Sequence, residues 1–574
     1  ATAGAQTMYD GLTFSQNNYY GTARSIGMGN AMTAVGGDLG SIGINPAGSA
    51  VAGYSQFTIT PNLTISSMNS SYSAYPTDGS DIFLNERTKN LARVTLPNIG
   101  ATLNWSTGNS SGLTSITYGF LFNGTNNYTG QMLAGGTNDR TSYLSGIAVG
   151  ATDFHSGFLN GWIDGNGNKI DIWDNAYYEN DDRNMPAPWN VIVNAQAGAI
   201  ANYGSDSDPN YPYRYVAATE RVYPVTAQDV KDGNYTLQDG DRIDEDGFVL
   251  DKDGNGIYNI LLGGSLNQAY GRKVTGSKYD ALLNVGLNFS ETFFVGANLG
   301  ITSLNYNFDE YFKEAAVKPD DFLTEFEKGN TYFSDYRTRY SYTVDGSGVY
   351  GKFGFLWRPV DGIRVGAAVQ TPTVLEINER SRQDVNVNYT DAQYNGSART
   401  PESNYSYRIR SPYRLNAGAA FTFAGMALLS ADYEMTDYST MKYMSKEGGW
   451  DSTFDDLNNE IRDCMGVSHM VRIGAEFKPV PELAVRAGYN FTTTPEYVYD
   501  GDLKTKLNDR INAFSVGLGY SSNGSFFADI AARMMTLSDE YISPYAEYIE
   551  GLYTPMILNK REIYSITATF GWRF

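Results

Sequence analysis

The closing run "IYSITATFGWRF" (563–574) constrains the fold more than any other stretch of the chain. Tyr564, Ile566, Ala568, Phe570, Trp572 and Phe574 share one face, and Ser565, Thr567, Thr569, Gly571 and Arg573 share the other. Successive side chains of an extended strand point to opposite sides, so this spacing describes a strand with one apolar and one polar face. The period recurs. Leu483, Val485, Ala487, Tyr489 and Phe491 alternate with Arg486, Gly488 and Asn490, and Val471, Ile473, Ala475 and Phe477 alternate with Arg472, Gly474, Glu476 and Lys478. Leu415, Ala417, Ala419, Phe421 and Phe423 are set against Arg414, Asn416, Gly418 and Thr422. Fourteen such strands are expected, near 54–66, 98–106, 114–123, 279–289, 292–308, 336–358, 363–382, 403–423, 427–443, 468–478, 482–494, 510–521, 524–540 and 562–574.

The connections alternate too. Short ones such as "RPVDG" (358–362), "KPVPE" (478–482) and "SSNG" (521–524) are interleaved with long ones near 67–97, 124–278, 309–335, 383–402, 444–467, 495–509 and 541–561. Turns at one end and loops at the other are the asymmetry of a transmembrane barrel. A soluble β-sandwich also has one apolar face per strand. Here, however, the polar faces carry charges beside glycines, which suits a wet or plugged lumen. A closed barrel of about fourteen strands with its apolar face inward would also enclose more space than side chains can fill. The fold class is therefore all-β, a 14-stranded antiparallel transmembrane β-barrel. Trp105, Trp357, Tyr520 and Trp572 are placed to form an interfacial girdle beside short turns. No run of about 18 apolar residues suggests a membrane helix. The 44 Tyr and 61 Gly, with only 18% charged residues, suit strands and tight turns.

Residues 1–53 break the pattern. The stretch "GTARSIGMGNAMTAVGGDLGSIGINPAG" (21–48) is dense in glycine, which packs closely against other backbone but builds little core. It fits best inside a lumen. Pro46 fixes its own φ and pushes Asn45 to an extended conformation, so Asn45-Pro46-Ala47-Gly48 reads as a rigid corner from plug to wall.

This order resembles the FadL/TodX-type outer-membrane transporters. The matching features are Gly21, Arg24, Gly29, Ala31, Asp38 and the Asn45-Pro46-Ala47 signature before the first strand. The resemblance continues through 351–373, 405–421, 428–439 and the closing "FGWRF". It implies an N-terminal hatch (1–53) inside a barrel (54–574), and passive transport of long-chain fatty acids or other hydrophobic compounds. It further implies capture by extracellular loops, a lumen pocket, and lateral exit at an inward kink of the third strand. Gly119 and Gly124 are candidate hosts for that kink. The connection 124–278 is longer than the resemblance leads one to expect, and is read as a large extracellular insertion.

Candidate ligand contacts in the plug are Tyr9, Phe14, Tyr19, Tyr20, Met28 and Met32, since Met and aromatics adapt to flexible apolar chains. Packing inside the lumen is the alternative for each. Arg358, Arg364, Arg408, Arg410, Arg414, Arg472 and Arg486 are read as lumen arginines. They would pair with Asp432, Glu434 and Glu476, with plug carbonyls, or with a ligand carboxylate. In "DGDRIDEDGFVLDKDGNGIYN" (239–259), Asp251, Asp253 and Asn255, with Ile257 and Asn259, follow the opening positions of a calcium loop. Position 12 is Leu262 rather than Glu, so the full EF-hand is absent, and Asp239, Asp241, Asp244 and Asp246 could complete a different cage. A solvated turn is the competing reading. "DGNGNKIDIWD" (164–174) is a weaker calcium candidate.

The formal net charge of −21 makes nucleic acid a poor partner. With the single Cys464 there is no disulfide framework. No nucleophile is placed by motif near His155 or His469, so no catalysis is expected. The Ala-Thr-Ala-Gly start reads as an exported form whose cleaved signal peptide is gone, in the bacterial outer membrane. Expected partners are outer-membrane lipid and a hydrophobic small-molecule ligand, with the extracellular loops open to a protein partner. Two rival functions stand beside transport: surface binding or adhesion through 124–278, and an outer-membrane hydrolase.

Overall fold

Strands with one apolar face must bury or solvate that face, and this chain does so by closing a ring. The computed structural model describes residues 7–76, 82–152, 187–202, 214–252, 254, 256–326, 329–446, 452–501, 503–522, 525–549 and 551–574, with 154, 159, 162–163 and 169–170 between them. Fourteen antiparallel strands form the wall. They are β1 (Gln56–Ser73), β2 (Leu84–Ser106), β3 (Leu113–Asn127, continued by Gly130–Asn138), β4 (Leu266–Phe289), β5 (Phe293–Ala316), β6 (Gly329–Val360) and β7 (Ile363–Gln370, continued by Val374–Tyr389). Then follow β8 (Ser403–Arg410, Arg414–Phe423), β9 (Ala427–Asp437, Lys442–Ser445), β10 (Val467–Val480), β11 (Leu483–Thr493), β12 (Arg510–Ser521), β13 (Phe526–Thr536) and β14 (Met556–Arg573). Pairing of β14 with β1 closes the cylinder.

The strand faces sort as the alternation requires. On β5 the outward residues Phe293, Leu299 and Ile301 are exposed, while Asn298 and Thr302 are buried inside. Phe353, Leu429, Ile473, Val516 and Ile566 continue this apolar belt around the exterior. Above Ile301 the same face of β5 turns to Ser303, Asn305, Asn307 and Asp309. Trp105, Trp357, Tyr520 and Trp572 are exposed at the short-turn end of the belt.

Two neighbouring strands change faces midway. β7 breaks at 371–373 and β8 at 411–413, and each break contains a proline, Pro372 and Pro412. Proline cannot donate to the ladder, so the breaks form together and are tied by Ser411 N–H to the Thr373 carbonyl at 2.8 Å. Below them Arg364 and Arg414 face inward, and above them Leu375, Ile377, Tyr407 and Ile409 do. Arg408 and Arg410 therefore lie outside the lumen, against the reading of strict alternation through 403–423. Arg408 pairs with Glu376 at 4.0 Å, both partly exposed. Arg358 keeps the lumen-facing side of β6, in line with Lys352 and Leu356, and lies at the short-turn rim 3.9 Å from Glu291.

The plug begins with α1 (Met8–Ser15), capped by Thr7, then α2 (Ala23–Gly27) and α3 (Leu39–Ile42). Asn45 is extended (φ −133°, ψ 113°) and its side chain caps the turn Pro46–Val51. Its amide also donates to the carbonyls of Thr33 (2.7 Å) and Phe355 (3.0 Å), so the corner is bolted to β6.

Strands β3 and β4 extend beyond their expected ends, leaving 139–265 rather than 124–278 as the long connection. Part of it folds over the mouth. The helices α4 (Tyr143–Ala151) and α5 (Trp189–Gln196) share an apolar core with Phe333 and Tyr336 of β6 and Val385 and Val387 of β7. Glu314 of β5 anchors this cap by accepting from Ser142 Oγ (2.8 Å), Tyr143 N–H (2.9 Å) and Gln268 Nε2 (2.7 Å).

Candidate transport site

The plug is glycine-rich and carries many backbone groups that must be satisfied inside the barrel. Wall side chains do this. Asn298 donates to Ile42 O (2.8 Å), Lys352 to Gly43 O (2.8 Å) and Arg364 to Val35 O (2.8 Å). Lys278 donates to Phe14 O (2.9 Å) and Gln16 O (2.7 Å), and Arg414 to Ser15 O. Asp432 accepts from the Thr33 N–H at 2.8 Å. A chain of charges fixes α2: Arg24 to Glu476 (2.9 Å), Glu476 to Arg486 (2.6 Å) and Arg486 to Asp529 (2.5 Å). Arg472 pairs with Glu434 at 3.1 Å, and Arg414 with Glu434 at 3.2 Å. Thus Arg364, Arg414, Arg472 and Arg486 hold carboxylates or plug carbonyls, one of the outcomes weighed from sequence.

Among the described residues the wall parts between β2 and β3. β2 and β3 pair from Ser106/Ser115 to Asn98/Asn123 and no further. Above that level β2 stays paired with β1 up to Leu84, and β3 stays paired with β4 up to Asn138/Leu266. Three local features separate them. Pro97 lacks an N–H and sits in a β2 bulge opposite Pro61, where the register shifts between Thr60/Asn98 and Asn62/Thr95. Thr125 is an extra residue in β3, between Asn126/Lys278 and Gly124/Tyr279. The plug then takes the freed carbonyls: Asn18 N–H donates to Thr125 O (2.7 Å) and Tyr20 N–H to Gly124 O (3.0 Å).

Beyond this bulge β3 runs inside the ring. Arg561 of β14 donates to Thr129 O at 2.7 Å, and a Cβ added at Gly130 would lie 2.3 Å from the Met68 side chain of β1. Across the seam, Arg93 of β2 donates to the Gly276 carbonyl of β4 at 2.6 Å. The expected kink is thus present one residue beyond Gly124, while Gly119 lies in regular pairing with Thr102 and Asn284.

Behind the bend lies a cavity of about 420 Å³. Asn126, Asn127 and Tyr128 of the bend form one wall, and Leu12, Thr13, Gln16 and Asn18 of the plug form its floor. Val274, Tyr306 and Phe308 make an apolar side, as do Ile511, Met535, Leu537 and Ile563 opposite. Arg272 and Glu540 pair within it at 2.5 Å. Arg561 also lines it, held by Thr129 O and by Ser66 Oγ (3.2 Å), with no ion pair among the described residues. The cavity is therefore amphipathic.

The six plug candidates are placed elsewhere. Tyr9 is 53% exposed at the mouth. Phe14 is fully buried, edge-on to Tyr306 at 5.4 Å. Tyr19 and Tyr20 line a smaller void beneath the bend, with Arg472 over the Tyr19 ring and Arg533 over the Tyr20 ring at 4.5 Å. Met28 and Met32 are fully buried, Met28 against Gly474 of the wall. Leu12, Thr13, Gln16 and Asn18 are what the plug offers the larger cavity. Leu12 and Thr13 of α1, with Gln16 and Asn18 just past its end, mix apolar and polar side chains and gave no sequence signal for it.

For the acidic loop, Asp253 and Asn255 lie outside the described residues. The Asp251 carbonyl accepts from Gly254 N–H at 3.1 Å, and that of Ile257 from Val225 N–H at 2.8 Å. Asn259 pairs with Tyr223 in a two-stranded ladder. Asp241 and Asp244 accept from nearby N–H groups of the same turns, at 2.8 Å from Gln238 and 2.8 Å from Phe248. Among the described residues, no three His, Cys, Asp or Glu side chains cluster as metal ligands do.

No family model matches the chain, and no curated protein matches it. Solved structures similar to it include the Pseudomonas putida toluene transporter TodX, at 11% identity and TM-score 0.44, covering 98% of this chain and 100% of that one. A Pseudomonas aeruginosa FadL homologue aligns at 12% identity and TM-score 0.43, covering 97% and 99%. The Ralstonia pickettii toluene transporter TbuX aligns at 11% and 0.42, covering 98% and 100%.

Proposed function

We propose that the chain is a passive outer-membrane channel for hydrophobic small molecules, which leave the barrel sideways between β2 and β3. One observation carries this reading: the wall parts above Asn98 and Asn123, with the amphipathic cavity directly behind the parting. The outward neighbours Val94 (75% exposed) and Leu96 place the lower part of the seam within the apolar belt, which a closed barrel presents to lipid. The plug is pinned by buried ion pairs and by hydrogen bonds from wall to backbone, which opposes a route straight down the axis. An apolar cargo gains nothing by entering water, and a sideways route spares it that step. Loops over the mouth would capture the cargo, and the plug would set its depth. The apolar cavity walls and Arg561 favour long-chain fatty acids among such cargoes.

The test is passage of radiolabelled laurate into proteoliposomes. Wild-type protein should carry it. Deleting Thr125, which removes the extra residue and lets β2 and β3 pair further, should slow passage at least tenfold. A large ion conductance without laurate passage, or equal passage by the deletion variant, would overturn the reading.

A further inference from the structure

The seam has an outer side as well as an inner one. Where β3 passes inside the ring, its outward face, the outward faces of β4 to β6 and the inner face of β2 enclose a hollow of about 390 Å³. Its charges run against the composition of the chain, which is strongly acidic overall. Lys89, Lys273, Arg337 and Arg339 line it, against the single carboxylate of Asp309. Asp309 is engaged by Arg339 Nε at 2.8 Å. Arg337 lies over the Tyr311 ring at 5.2 Å, and no ion pair of Lys89 or Lys273 occurs among the described residues. On β2 the cations begin at the belt itself. Arg93 stands beside the exposed Val94, and Lys89 follows two steps higher on the same face, past Leu91.

We propose that this hollow binds the phosphorylated head of a glycolipid in the outer leaflet. The occupant follows from charge and place. Fixed cations rising from the upper edge of an apolar belt meet the headgroups of the lipids whose tails meet the belt, and a phosphate answers several cations at once. The arginines supply planar donor forks and the lysines point charges, the usual pairing for phosphate. The inference rests on the outer-membrane placement above and is independent of cargo passage.

The experiment uses the whole chain and the variant Lys89→Gln/Lys273→Gln/Arg337→Gln, whose side chains lie outside the barrel core. Both are first floated with phosphatidylcholine vesicles. A wild-type chain that fails to float would remove the membrane placement rather than this site. A variant that fails to float is replaced by the single substitution Lys273→Gln. Bound lipid is then counted by native mass spectrometry after exposure to bis-phosphorylated lipid A, to dephosphorylated lipid A and to inorganic phosphate. Wild type should retain the phosphorylated lipid, with at least tenfold weaker retention of the dephosphorylated form. The variant should lose that preference. Equal retention of both lipids, an unchanged preference in the variant, or displacement by millimolar inorganic phosphate alone would overturn the proposal.

Discussion

The backbone N–H of Asn18 donates to the carbonyl of Thr125 at 2.7 Å, so the plug occupies on β3 a bonding position that β2 vacates. The parting of the wall and the seating of the plug are thus one event in the chain. Asn18→Pro removes the donor and should cost about 1 kcal/mol locally. Amide exchange along 124–130 is expected to quicken about fivefold, with the rest of β3 unchanged.

Arg561 lines the cavity and makes no ion pair among the described residues. Arg561→Gln should weaken retention of laurate about tenfold, as expected for one lost charge-assisted pair, and leave retention of an uncharged alkane of similar length unchanged. Native mass spectrometry of the detergent-extracted barrel with both ligands checks this.

Glu476 lies between Arg24 and Arg486 with its side chain 4% exposed. Glu476→Gln leaves the buried Arg486 and the partly buried Arg24 short of a counter-charge, at a cost of about 3–5 kcal/mol. The heat-modifiable band shift of the barrel should move to clearly lower temperature, and Glu476→Asp should recover part of the loss.

Glu314 lies above the belt, beneath the cap. Burial pushes its carboxyl up to about 7 from an ordinary value of 4.5. A raised carboxylate value in the folded state means that protonation favours the docked cap. This contribution is complete in acid and fades as pH rises through about 7. Amide exchange in α4, corrected for its intrinsic pH dependence, should rise between pH 6 and 8. In Glu314→Gln it should stay flat.

The number of wall strands and the two faces of most of them were legible because lipid and lumen impose opposite chemistry at every second residue. That legibility fails where the constraint stops. The upper halves of β3 and β4, "GQMLAGGTN" and "LNQAYGRKVTGS", have no lipid on their outer face, so they show no alternation and read as loop. Arg408 and Arg410 were misplaced because Pro372 and Pro412 swap the faces of two strands together, a pairing invisible in either strand alone. Of the two glycines offered for a bend in β3, Gly124 lies one residue from it and Gly119 lies in regular pairing, because the bend's cause is register. Thr125 has no register partner on β4 because Lys278 and Tyr279 meet Asn126 and Gly124. The plug's methionines marked greasy packing rather than the cavity, since a Met on a glycine-rich segment fits the wall's own glycines, as Met28 does at Gly474.

The way the plug is satisfied also bears on assembly. Its carbonyls at Ser15, Val35, Ile42 and Gly43 are met by side chains borne on β8, β7, β5 and β6, residues synthesised hundreds of positions later. The leader has no means of reaching this shape ahead of them. It must stay pliant until it is enclosed as the cylinder forms. The zipping of β1 to β14 then seals in a segment that is made before the wall and is among the last to become ordered.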